Sequence, residues 1–261
     1  MPDIDFSEPF YFLLATAVLF IVVVFRYFLI AGLFHIVFYL YPSRWKNRKI
    51  SAKNHNTSQL RKEISWSIIT SLIFAVVGAL VVVAWQNGWT RIYIEIQPIG
   101  WLWFLGSLMV YMIIHETYYY WVHRWMHHPK IFRHIHKVHH DSKITSPWTA
   151  FSFHPIEGFI EAIILPMMLF LIPINYYALI IYLTIMTFSS VVNHLDIEVY
   201  PKEFNKHWLG RWLIGASHHS LHHSQFKFNY GLYFTFWDKL TDTESPEYEK
   251  LFKNKTDARP S

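Results

Sequence analysis

Residues 9 to 41 carry one cation, Arg26, and one imidazole, His35, in an otherwise apolar run. About 20 helical residues at roughly 1.5 Å rise cover a hydrocarbon core of about 30 Å, so this run crosses a bilayer with residues to spare. The excess predicts a tilt, or a bend near Arg26 with its guanidinium reaching toward an interface. Residues 64 to 85 form a second run without interruption by charge, and residues 98 to 114 a third that continues into an aromatic segment. Residues 156 to 173 and 174 to 193 make a further pair divided by Pro173 and Asn175, read as a tight helical hairpin. Glu157, Glu161 and Pro166 make its first arm the weakest span.

Composition agrees. The chain is 53% hydrophobic, 19% aromatic and 16% charged, more apolar and more aromatic than a soluble domain. The expected fold is all-α, one integral membrane helical bundle of four to five transmembrane segments over residues 1–261. Spans one to three fall within 9–121, the hairpin is 156–193, and residues 241–261 are a polar, partly disordered tail. With no cysteine, disulfides, thiolate zinc sites and cysteine-held iron–sulfur clusters are excluded, which leaves imidazole and carboxylate as metal ligands. The net charge of +5 sits in loops beside apolar runs, which suits an anionic lipid surface and not nucleic acid.

Loop charge sets the expected orientation. Residues 42 to 63 carry Arg44, Lys46, Arg48, Lys49, Lys53, Arg61 and Lys62, whereas the N-terminus offers Asp3, Asp5 and Glu8. The 42 to 63 loop is therefore expected on the cytoplasmic side. Counting crossings from there brings residues 115 to 150 and 194 to 261 to that same side. No cleavable signal peptide is evident, because the first apolar run is too long and lacks a basic start.

Three histidine clusters lie in those two segments: His123-Arg-Trp-Met-His127, His136-Lys-Val-His139-His140 and His219-Ser-Leu-His222-His223. Residues three and four apart share a helix face, so each cluster can aim two or three imidazoles at a common point. Eight such nitrogens exceed the three or four protein ligands of a zinc site and suffice for two ions, but imidazole suits iron, copper, nickel and zinc alike. Polar side chains in so apolar a chain point to function, since their burial is costly.

The chain resembles the fatty acid hydroxylase and sterol desaturase superfamily of membrane di-iron oxygenases. The likeness runs from Tyr118-Tyr-Tyr-Trp-Val-His123, through Phe132-Arg-His-Ile-His136-Lys-Val-His139-His140 and Phe153-His154-Pro155-Ile-Glu157, to Gly215-Ala-Ser-His218-His219-Ser-Leu-His222-His223. The continuation Asn229-Tyr230-Gly231 and Trp237-Asp238 looks most like the C-5 sterol desaturase branch. The resemblance implies a cytosolic histidine-rich helical cap on the bundle, boxes one and two over 122–150 and box three over 194–240, holding a dinuclear centre of two Fe ions that zinc can replace in a purified protein. It implies His123, His127, His136, His139, His140, His219, His222 and His223 as ligands, with His194 added from between the second and third boxes. Relatives can have a second histidine four residues later, where this chain has Glu198, which leaves Glu198 or water as candidates for a further ligand; Glu116 stands where aspartate is expected. His218 and His154 either bind, orient a ligand or bond to backbone, and Glu116, Asp141, Asp196 and Asp238 are candidate acceptors from ligand N–H groups.

Such enzymes use dioxygen and two external electrons to hydroxylate or desaturate a C–H bond of a sterol-like or fatty-acyl lipid. The chain lacks the His-Pro-Gly-Gly signature of a fused b-type cytochrome and any dinucleotide-binding glycine fingerprint. A separate cytochrome, ferredoxin or flavin reductase is the expected electron donor. A bacterial inner membrane is the expected location, or the endoplasmic reticulum if the source is eukaryotic. The alternatives are a membrane metal-binding or transport protein without catalysis, and a zinc-dependent membrane hydrolase using part of the histidine set.

Overall fold

The computed structural model describes residues 4–41, 45–53, 55–96 and 100–257. Asp3 and Arg44 of the charge pattern, residues 98–99 of the third apolar run and residues 258–261 of the tail lie outside these.

All five apolar runs are helical. α1 (Pro9–His35) continues into a wider π-helical turn over Ile36–Leu40. α2 (Thr57–Gln86) starts at Asn56, whose side chain accepts from the Gln59 backbone N–H at 2.6 Å and satisfies one of the free donors of the first turn. Gln86 at its far end accepts from Phe6 N–H at 2.8 Å, so α1 and α2 form an antiparallel pair. α3 (Gly100–Met126) is followed by two single turns, α4 (Pro129–Phe132) and α5 (Lys137–His140). α6 (Pro155–Leu171) and α7 (Tyr176–Asn193) form the expected hairpin. By length and hydropathy, Pro9–Leu40, Thr57–Gln86 and Tyr176–Asn193 are long and apolar enough to cross a membrane. α6 has 17 residues with Pro166 inside, consistent with its two carboxylates marking it as the weakest arm.

The exception to an all-helical architecture is small. β1 (Ile92–Tyr93) and β2 (Ile174–Asn175) pair in parallel, Ile92 opposite Ile174. Asn175 closes the hairpin: its Oδ1 accepts from Tyr177 N–H at 2.9 Å, while its Nδ2 donates to Ile94 O at 2.8 Å.

Between α5 and α6 the chain folds back into the bundle as a 3-10 turn, Pro147–Phe151, packed against Tyr27, Phe74 and Val191. Non-helical backbone buried there needs partners. Tyr27 OH donates to Trp148 O at 2.8 Å, Ser190 Oγ to Ala150 O at 3.0 Å and Thr70 Oγ1 to Phe153 O at 3.2 Å. These three hydroxyls lie on α1, α7 and α2, so one short turn joins three helices.

The C-terminal part carries α8 (Ala216–Gln225), α9 (Phe236–Leu240) and α10 (Tyr248–Asp257). The sequence reading of residues 241–261 as a partly disordered tail is corrected over 248–257. Tyr248, Phe252 and Thr256 recur every four residues and form one buried face of α10, and Tyr248 and Phe252 pack on Leu221 of α8 with Tyr200 and Phe204.

Candidate metal centre

Two groups of imidazoles converge at one end of the bundle: His123, His127, His136, His140 and His222 in the first, and His139, His194, His219 and His223 in the second, with the potential ligand atoms of each group within 4.8 Å of one another. All nine histidines named from the sequence are brought together here. α3 supplies His123 and, one residue past its end, His127; the α5 turn supplies His136, His139 and His140; α8 supplies three; His194 terminates α7.

Each H-x-x-H-H cluster is divided between the groups. His136 and His140 go to the first and His139 to the second, while His219 and His223 go to the second and His222 to the first. Two imidazoles of every cluster do share one group, His123 with His127, His136 with His140 and His219 with His223, and the third ring of each H-x-x-H-H cluster goes to the other group. At about 100° per residue, rings four apart differ by about 40°, whereas the ring at the third position lies about 60° to the other side. A pair faces one ion site and the single ring the other.

The donor geometry fits metal. Nε2 separations run from 2.9 to 3.2 Å: His123 to His136, His127 to both His222 and His140, and His140 to His222 in the first group; His139 to His194, His194 to His219 and His219 to His223 in the second. Nitrogens about 2.1 Å from one ion lie about 3.0 Å apart at right angles and about 3.4 Å apart in a tetrahedron, so these spacings match the edges of a six-coordinate site better than of a four-coordinate one. The remaining ring nitrogen sets the tautomer. His123 Nδ1–H donates to Tyr230 O at 2.8 Å, His136 Nδ1–H to Glu157 Oε1 at 2.7 Å, His222 Nδ1–H to Phe228 O at 2.8 Å and His194 Nδ1–H to Ser190 O at 2.7 Å. Each bond leaves a bare Nε2 lone pair facing its neighbours, an arrangement that a cation stabilises. Burial holds His139, His140, His219, His222 and His223 well below the ordinary imidazole value, and so in the neutral, ligating form. His127 is the one half-buried member; the other eight are buried.

The remaining candidate residues fall elsewhere. His218 is buried against Tyr248, outside both groups, without a hydrogen bond but with Nε2 4.0 Å from Asp238 Oδ2 and 3.9 Å from Glu244 Oε1. His154 caps α6, its Nδ1 accepting from Ile156 N–H at 3.3 Å. Glu198 accepts from Ser217 N–H in the first turn of α8 and from Tyr200 N–H, both at 3.0 Å, so it caps the helix that carries box three. Glu116 accepts from the backbone N–H groups of Leu232, Tyr233 and Phe234, and Asp238 from those of Tyr230 and Gly231. These two carboxylates hold the segment whose Tyr230 carbonyl orients His123, without touching a ligand nitrogen themselves. Gly231 is required by close approach, since a Cβ there would sit 2.6 Å from Phe234 O and 2.9 Å from Glu116 Oε1. Asp141 pairs with exposed Lys137 at 2.6 Å, and Asp196 accepts from Ser51 Oγ at 2.7 Å.

The carboxylate that does bond to a ligand-type imidazole is Glu157, which the sequence places at the end of a resemblance motif and in an apolar arm without giving it a role. Its signal was available: a carboxylate in a candidate membrane helix, two residues past His-Pro, seeks a buried partner.

Below the second group lies an apolar cavity of about 190 Å³, bounded by α1, α2, α3, α6 and α7 and reaching His194 at its upper end.

Residues 108–243, just over half of the chain, match the model of the fatty acid hydroxylase family, and the chain belongs to that family. A Delta(7)-sterol 5(6)-desaturase of Gibberella zeae is 29% identical over 182 residues, 69% of this chain and 54% of that protein. Lathosterol oxidase of Rattus norvegicus is 32% identical over 157 residues, 59% and 50% of the two chains. A Delta(7)-sterol 5(6)-desaturase of Aspergillus fumigatus is 28% identical over 196 residues, 69% and 61% of the two. These relatives support the sterol desaturase-like branch within the family. The chain spans about half to three-fifths of their length. No solved structure matches it.

Proposed function

We propose that this integral membrane protein is a di-iron oxidoreductase that uses dioxygen to hydroxylate or desaturate an unactivated C–H bond of a lipid. The observation that carries the reading is the partition of nine imidazoles, with no carboxylate among them, into two adjacent groups whose Nε2 spacings match six-coordinate edges. That count and spacing favour two ions of the iron type over a single tetrahedral zinc. His123, His127, His136, His140 and His222 hold one ion, and His139, His194, His219 and His223 the other. Iron, when bound, supplies the dioxygen chemistry that no side chain here can perform.

The chain's own work is positioning and exclusion. Glu157 and the carbonyls of Ser190, Phe228 and Tyr230 fix ring orientation; Glu116 and Asp238 fix the Tyr230 segment; burial of eight of the nine rings keeps bulk water out. The cavity receives the hydrocarbon from the bilayer side and leads it to His194. The histidine end faces the cytoplasm, where a separate cytochrome, ferredoxin or flavin reductase delivers electrons. Full turnover of the purified chain with NADPH alone would refute a separate donor.

The test is elemental mass spectrometry on protein from iron-supplemented cells, beside a His139→Ala, His222→Ala double variant. About two irons per chain, absent from the variant, support the reading. One zinc per chain, or metal that survives both substitutions, overturns it.

A further inference from the structure

His127 is the one ligand-type imidazole that is not fully buried, and what covers it is aromatic. Phe132 of α4 packs on its ring at 5.4 Å between centroids and Phe226 at 6.3 Å, and the two phenyl rings meet at 5.6 Å. Phe132 is half-buried and Phe226 is 37% exposed, so at this point a single layer of side chains lies between solvent and the first histidine group. Phe226 holds its place against a backbone cost. It follows the last residue of α8 with φ of 64°, a left-handed conformation that suits glycine and is rare for a bulky side chain. Its N–H donates to His222 O at 2.9 Å and its carbonyl accepts from Tyr230 OH at 3.3 Å, which keeps the phenyl ring 4.8 Å from that of His140.

The rim of this patch is cationic. From Arg124 to Lys143 the chain carries five exposed cations, and its single carboxylate there, Asp141, pairs with Lys137 at 2.6 Å. Lys130 and Arg133 flank Phe132, exposed Lys227 follows Phe226, and among the described residues none of these three makes an ion pair. Trp121 and Trp125, exposed on α3 ahead of the patch, suit the lipid headgroup level, and α4 follows beyond the end of that helix, on the aqueous side. An apolar centre with a charged rim is the anatomy of a protein interface, and one this small belongs to the size class of electron-transfer encounters. The lysines around α10 differ. Lys202, Lys250 and Lys253 share a groove with Glu203, Glu249 and Asp257, and Lys202 pairs with Asp257 at 2.9 Å, so that surface is near charge balance.

We propose that this patch is the docking surface of a small acidic one-electron carrier protein, and that electrons enter the centre through the His123 group. This rests on the di-iron reading above and assigns its electron entry to one face. Each encounter passes one electron: the carrier's cofactor is oxidised, an ion held by the first group goes from ferric to ferrous, and two encounters supply the two electrons that the dioxygen chemistry requires. Electron transfer falls steeply with distance, which favours the point where a ligand ring comes nearest the surface. Among the described residues no member of the first group lines the cavity, so electrons and lipid reach the centre from different sides. The rim cations attract and orient the carrier over a Debye length of about 8 Å, a contribution that added salt removes.

Biolayer interferometry of the full chain in nanodiscs of neutral phospholipid tests this, with an acidic plant-type ferredoxin as probe and basic cytochrome c as its counterpart. The ferredoxin is expected to bind at low ionic strength, at least about 10-fold more weakly at about 0.5 M salt, and cytochrome c not to bind. A Lys130→Glu, Arg133→Glu, Lys227→Glu triple variant is expected to lose about 10-fold or more in low-salt affinity, the scale of three charge pairs, and a Lys250→Glu, Lys253→Glu variant of α10 less than about 2-fold. In iron-loaded protein, stopped-flow reduction by the ferredoxin is expected to slow in step in the triple variant, while iron content and reduction by dithionite, which needs no docking, stay as in the unmodified chain. No ferredoxin binding by the unmodified chain, tighter binding of cytochrome c, or equal losses in the two variants would each overturn the proposal. Unchanged ferredoxin affinity in the triple variant, with a preference for phosphatidylserine over phosphatidylcholine lost from its native mass spectra, would assign these cations to the membrane instead. Docking needs no iron, so a chain that binds the ferredoxin without holding iron keeps this surface while the di-iron reading fails, and a chain with about two irons and no docking overturns the surface alone. Salt and cytochrome c decide on the unmodified chain even if the variants fail to fold.

Discussion

The His123 group and the His139 group share the α5 turn and α8 but differ in how their rings are held. In the first, three of five rings have Nδ1 bonded to fixed acceptors, one of them the Glu157 carboxylate. In the second, His194 Nδ1 bonds to Ser190 O and His139 lies beside the Ser152 backbone, while the Nδ1 atoms of His219 and His223 are buried without a partner, as is that of His140 in the first. The first group has five potential ligands and the second four, and it is the second, through His194, that borders the cavity. Bracing and openness are thus separated: the group with the carboxylate brace does not line the cavity, and the group with fewer potential ligands reaches it through His194. On the proposed function, an ion held by the second group would have fewer protein ligands and would lie nearer the lipid.

The comparison breaks most decisively at the ligands. His222→Ala and His219→Ala are each expected to lower metal from about two ions per chain to about one and to abolish turnover, measured by elemental mass spectrometry and lipid oxidation. Loss of both ions from either variant would show that the two groups act as one unit. A smaller effect separates the groups by their braces. Glu157→Ala is expected to weaken metal about 10–100-fold at the first group alone. Chelator competition reads this directly, since a His219→Ala background retains the affected site and a His222→Ala background the unaffected one. Equal weakening in both backgrounds would remove the distinction.

The smallest effect concerns Asp238, whose carboxyl burial raises to about 6 from an ordinary 3.8. Its folded-state value lies above the unfolded one, so the folded state binds more protons in between, and the stability this contributes is lost as pH rises through about 6. Thermal melts at about pH 5 and about pH 7.5 are therefore expected to show the unmodified chain losing a few degrees that Asp238→Asn does not lose, although the variant starts lower because asparagine cannot accept from both Tyr230 and Gly231. A parallel pH response in both proteins would assign the shift to other groups.

Much of the site was legible because its signals are local. The i, i+3, i+4 spacing of the boxes survives in α5 and α8, and His194 followed from the resemblance. Glu157 was harder to place because its role depends on a residue 21 positions away, and only the docking of α6 against the α5 turn makes them neighbours. The same holds for Glu198 and Glu116, carboxylates near the boxes that bond to backbone and not to a ring. The α10 helix was not legible because the polar composition of residues 241–261 outweighs a short buried face, Tyr248 and Phe252, that Leu221 of α8 covers.

The sequence by itself determined which segments are apolar helices, that imidazole is the available ligand, and which eight histidines fall in three clusters, since composition and short-range periodicity need no knowledge of the fold; the ninth, His194, came from the family resemblance. Tertiary structure decided how those nine divide into five and four, that the Pro147–Phe151 turn inserts between α1, α2 and α7, and that Arg26 and Glu161 face one cavity. The physical reason is directional. A periodicity states which side chains share a helix face, but where that face points, and what meets it, is set by how separate helices pack.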